Sequence, residues 1–93
     1  MLNLDAYTNQ VFTKAEISWL IPKDVVNLLE DSPCVFTDEF NNTVKFRAHI
    51  RYGEYRLIKN YTLDNYNSYD DLPEDLSDVD WDSAKIDYQI EVD

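Results

Sequence analysis

An α+β fold, with a mainly antiparallel sheet of four or five strands and one main helix, is predicted by three stretches of this sequence. Val44, Phe46, Ala48, Ile50 and Tyr52 alternate with Lys45, Arg47, His49 and Arg51, the two-residue period of a half-buried strand. Ala84, Ile86, Tyr88, Ile90 and Val92 alternate likewise with Lys85, Asp87, Gln89, Glu91 and Asp93. Over residues 22–31, Val25, Val26, Leu28 and Leu29 form one apolar helical face behind Pro22, which suits a first turn. The length of 93 residues predicts one domain, residues 1–93, able to bury roughly two-thirds of its unfolded surface. An apolar fraction of 44% is enough to supply its core.

Residues 1–10 carry no pattern. Residues 11–21 admit two readings. Ala15, Ile17, Trp19 and Ile21 alternate with Lys14, Glu16 and Ser18, as in a strand. Thr13 with Glu16 also has the spacing of a capping box, and Ile17, Leu20 and Ile21 fit a helical face. Pro22 disfavours helical geometry at Ile21, which tips the expectation to strand. The helix over 22–31 spans roughly 15 Å, ends before Pro33 and needs a sheet to pack on. Residues 34–40 read as a strand, Asn41-Asn42 as a turn and 44–52 as its partner. Gly53, the only glycine, marks the next turn, and 55–63 is a further strand.

Between that strand and the last lies an acidic helix or loop. Asp71 and Glu74 have capping-box spacing around Pro73, and Leu72, Leu76 and Val79 would make an inward stripe. If residues 78–82 are extended instead, alternate carboxylates stand ~6.7 Å apart. Either geometry lines up negative charges.

Charge is the most informative property of the chain. Nineteen acids against eight bases give a net charge of −11. Direct binding to DNA, RNA or an anionic membrane is opposed by repulsion, whereas a basic protein surface is complementary. The distribution is uneven. Residues 44–60 hold five bases and one acid, while residues 60–84 hold eight acids and neither lysine nor arginine. The basic stripe of Lys45, Arg47, Arg51, Arg56 and Lys59 is expected to pair within the molecule with those acids. The acids are Asp64, Asp70, Asp71, Glu74, Asp75, Asp78, Asp80 and Asp82, with Tyr66, Tyr69 and Trp81 set among them. A disordered acidic tail has few aromatic rings, so this segment reads as a docking surface with aromatic anchors.

Chemistry of other kinds is poorly supported. Cys34 and His49 are the only thiol and imidazole, with no sign of the microenvironment that activates a nucleophile. Asp78, Asp80 and Asp82 match positions 1, 3 and 5 of a calcium loop. Ser83 stands where that loop needs glycine and Gln89 where it needs a bidentate glutamate. One glycine allows no phosphate-cradling loop. The expectation is a non-enzyme without cofactor or metal. A lone cysteine, no basic-then-apolar leader and no run of ~20 apolar residues point to a cytoplasmic protein.

In size, charge and lack of catalytic motifs the chain resembles the small acidic phage proteins that mimic DNA to block restriction or CRISPR nucleases. The resemblance is one of profile, with no motif behind it. It implies an inhibitor that fills the basic nucleic-acid groove of a defence nuclease in the host bacterium's cytoplasm. A carboxylate row can satisfy arginines and lysines built for phosphates, and rings can replace bases. An immunity protein or antitoxin neutralising a basic toxin would use the same physics. A virion structural or assembly accessory protein would need the acids only for solubility.

Overall fold

The computed structural model describes residues 3–32, 35–36 and 44–92. A turn of 3-10 helix (Leu4–Tyr7) leads into strand β1 (Val11–Phe12), helix α1 (Lys14–Leu20) and helix α2 (Lys23–Asp31). Strands β2 (Val35–Phe36), β3 (Val44–Tyr52) and β4 (Tyr55–Leu63) follow. Three short 3-10 turns, Tyr69–Asp71, Leu76–Asp78 and Trp81–Ser83, then precede strand β5 (Lys85–Val92). The strands pair antiparallel throughout, in the order β1-β5-β4-β3-β2. The expected α+β architecture is therefore present, carried by the three long strands β3, β4 and β5.

One expectation is corrected. Residues 14–20 form a second helix, and strand structure in this region is limited to Val11–Phe12. Thr13 caps the helix: its Oγ1 accepts from the Glu16 N–H at 3.3 Å and donates to Glu16 Oε1 at 3.2 Å. Pro22 restricts only the residue before it. Ile21 is extended at φ −126° and ψ 159°, and the helix ends one residue earlier. Of the strand proposed for 34–40, Val35–Phe36 is present; Cys34 and the Asn41-Asn42 turn lie outside the described residues.

The β3–β4 hairpin turns through Gly53 and Glu54, with Tyr52 opposite Tyr55. Gly53 has φ +61°, the left-handed region that glycine enters without Cβ strain. Register follows the alternation in the sequence. Val44, Phe46 and Ala48 are buried on one face, with Ile50 half-buried, while Arg51 on the other face is exposed.

That apolar face is covered in two parts. At the hairpin end, Leu57 and Ile90 pack with Ile17, Leu20, Val26 and Leu29 of the helices, and with Leu4 and Phe12. Leu28 is left outside, exposed to solvent. At the opposite end, Val44, Phe46, Tyr61 and Leu63 are covered by Val79 and its neighbours in the acidic segment. Lys59 lies buried between the two clusters, and Tyr88 beside it donates its hydroxyl proton to Glu30 of α2. No helix among the described residues is long and apolar enough to cross a membrane.

Candidate functional site: the acidic segment

Of the acidic helix or loop expected before the last strand, the segment takes the loop, folded into three 3-10 turns; neither the capped helix nor the extended run over residues 78–82 forms. Leu72, ahead of Pro73, is held extended at ψ 150°, and no capping box forms between Asp71 and Glu74. Aspartates instead bond to nearby backbone and hydroxyl groups, which competes with regular helix. Asp71 Oδ2 accepts from the Asn67 N–H at 3.3 Å. Asp75 Oδ1 accepts from the Ser77 N–H at 2.9 Å and the Ser77 hydroxyl at 2.8 Å. These bonds favour the Asp75 carboxylate and hold its pKa below the ordinary value. Asp80 accepts from the Ser83 hydroxyl in the same way. The result is three separate turns, each closed locally.

What holds the turns to the sheet is their apolar content. Val79 is buried, and Trp81 lies edge-on to Phe46 and Tyr61, with centroids at 5.1 and 5.4 Å. The Trp81 Nε1–H donates to the Leu76 carbonyl at 3.0 Å, which ties one turn to the next. Tyr69 meets the Phe46 ring at 6.3 Å and donates its hydroxyl to the Lys45 carbonyl at 3.4 Å. Tyr66 and Leu72 complete the cluster. Of the proposed partner-binding residues, then, Tyr66, Tyr69 and Trp81 are half-buried and pack against the core cluster. Leu76, placed on the expected inward stripe, is exposed instead.

The acids go the other way. Asp64, Asp70, Asp71, Glu74, Asp75, Asp78, Asp80 and Asp82 are all exposed. Lys85 Nζ lies 2.8 Å from Asp64 Oδ2, and this bond and charge raise the lysine's pKa.

The basic stripe is placed differently from expectation. Lys45, Arg47 and Arg51 alternate with the buried residues of β3, and Arg56 stands opposite Arg51 on β4. The four therefore share the face opposite the acidic segment, where Ile58 of β4 is buried. Arg56 pairs there with Glu91 of β5 at 3.2 Å. Lys59 is on the apolar face, 3.9 Å from Glu30. His49 shares the stripe's face, where burial and the charges of Arg56 and Arg47 keep its pKa below the ordinary value. Among the described residues no three of His, Cys, Asp and Glu group as a cation site.

A residue missed in the sequence is Trp19. The strand reading puts it on the inward side with Ile17 and Ile21; on α1 it is 87% exposed. The helical reading of Ile17, Leu20 and Ile21, which leaves Trp19 off the apolar face, was the signal that could have found it. Comparison with family models, curated proteins and solved structures finds no match to this chain.

Proposed function

We propose that this protein acts by occupancy, without chemistry of its own. Its acidic segment docks in the basic, nucleic-acid-binding groove of a partner protein. A nuclease of a bacterial defence system is the partner class that the charge profile favours. The observation that carries this reading is the combination of eight exposed carboxylates with a segment pinned through Val79 and Trp81 to the sheet. An acidic array already held in place loses little conformational freedom on binding, and each carboxylate can accept charge-assisted hydrogen bonds from arginine or lysine.

The test is competition and charge removal. Binding should displace nucleic acid from the partner and weaken steeply as salt rises, because charge steering is screened within ~8 Å at physiological ionic strength. Asp70, Asp71, Glu74, Asp75, Asp78, Asp80 and Asp82 are replaced by Asn or Gln in groups. Replacements facing a desolvated arginine should cost ~2–5 kcal/mol each, and those at the rim little. Arg47→Ala, on the opposite face, is the control and should leave affinity unchanged. A neutralised segment that still folds and still binds would end the proposal.

A further inference from the structure

Trp19 sits beside a groove of about 380 Å³ at the outer side of α1. Phe12 and Leu20, both buried, form its floor, and Tyr7, Ala15, Glu16 and Trp19 its walls. The Tyr7 and Phe12 rings lie 6.2 Å apart at 59°. Glu16 is the only charged side chain of the six, and it stands one helical turn before Trp19, on the same side of the helix. Aromatic faces beside a single carboxylate are the chemistry that receives a cation. A guanidinium stacks on the rings and gives its N–H groups to the carboxylate.

We infer that this groove receives an arginine side chain of the basic partner, as an aromatic anchor at the end of the sheet opposite the acidic segment. The inference rests on the reading of a basic partner given above. Three other occupants fit less well. A purely apolar side chain would desolvate the Glu16 charge without supplying a counter-charge. An acidic ligand meets both Glu16 and a net charge of −11. A second copy of the chain brings that same charge and a second Glu16 to the contact. Tyr66, Tyr69 and Trp81 are half-buried against the core cluster, so Trp19 is the more open of the two tryptophans.

The chain has two indole N–H groups, and they are distinguishable by NMR: Trp81 Nε1–H is bonded to the Leu76 carbonyl, while Trp19 is 87% exposed. A hexa-arginine peptide should shift the Trp19 indole signal, and a neutral apolar peptide of equal length should not. Trp19→Ala and Glu16→Gln should each weaken hexa-arginine binding about three- to tenfold. Glutamine keeps the capping box, so Glu16→Gln leaves the helix formed, as circular dichroism would verify. A Trp19 signal that stays still, or moves equally with the neutral peptide, overturns the inference. So does one that moves with protein concentration alone, or affinity unchanged in both variants. Neutralising the seven acids of residues 70–82 separates the two proposals. If that variant binds hexa-arginine as tightly as the wild type while Trp19→Ala does not, the acidic-segment reading fails and the groove stands.

Discussion

Phe46 is where the sheet and the acidic segment meet. It is fully buried, with the Trp81 and Tyr69 rings edge-on to it. Each such ring pair adds about 0.5–1.5 kcal/mol beyond the area it buries. Phe46→Ala is expected to cost about 3–5 kcal/mol in urea unfolding, as large-to-small core changes do. Near-wild-type stability of that variant would remove the packing account. Trp81→Ala should also show its loss in stability, by about 3 kcal/mol. Its affinity for a basic partner should fall only as far as the acidic segment loosens. A large affinity loss at unchanged stability would return Trp81 to the role of an outward anchor.

Among the elements, α2 depends most on one side chain. Glu30 accepts from the Tyr88 hydroxyl of β5 and lies 3.6 Å from Lys14 of α1 and 3.9 Å from Lys59 of β4. Burial pushes its pKa up, but the Tyr88 bond and the charges of Lys59 and Lys14 outweigh that and leave it lowered. Burial and the same bond raise the pKa of Tyr88. A lowered carboxyl pKa stabilises the fold above its unfolded value of 4.5, and this is lost as pH falls through the folded pKa. A raised tyrosine pKa stabilises below its unfolded value of 10.0, and this is lost as pH rises through the folded pKa. The difference in unfolding free energy between wild type and Glu30→Gln should therefore shrink on the acid side. That between wild type and Tyr88→Phe should shrink on the alkaline side. Flat differences in both would mean that the contact does not couple to folding. Glu30→Ala leaves buried Lys59 without its carboxylate and should cost about 3 kcal/mol. At α1, Thr13→Ala removes the cap and should cost about 1 kcal/mol by the same measurement.

At the scale of the whole molecule, charge is segregated by the sheet. The acidic segment covers one end of the apolar face, and Lys45, Arg47, Arg51 and Arg56 project from the other face. Nineteen acids against eight bases leave the folded chain under net self-repulsion. Raising salt from 10 to 150 mM should therefore raise Tm by a few degrees; about 1 kcal/mol corresponds to 4–8 °C at this size. Replacing Asp70, Glu74, Asp78 and Asp82 by Asn or Gln should leave the protein at least as stable as the wild type while lowering affinity. Asp75→Asn, in contrast, loses a charge that the Ser77 bonds favour and should cost stability. A fall in Tm on neutralising those four would mean that they hold the fold together and were not placed for a partner.

Local periodicity determined a good deal of this protein. The two-residue alternation set which side chains of β3 face the core and placed Tyr88 and Ile90 of β5 there, while Ile86 and Val92 on the same side of β5 are exposed. Gly53 marked the turn. The apolar face of residues 22–31 placed α2, and the density of carboxylates placed an exposed acidic surface at 64–82. Tertiary structure decided the rest. The run around Ile17 fits strand and helix alike, and packing of Ile17 and Leu20 over β5 chose helix. Trp81 and Tyr69 read as anchors of the docking surface, and their packing against Phe46 of β3 was decided by the tertiary structure. The placement of the basic stripe was legible, because Lys45 and Arg47 alternate with Phe46, the residue that the segment must cover. The expected pairing with the acids gave too much weight to charge. An exposed ion pair contributes about 0–1 kcal/mol, whereas burying one large apolar side chain contributes about 1.5–3. The acidic segment therefore settled on the apolar face and left the stripe on the other side.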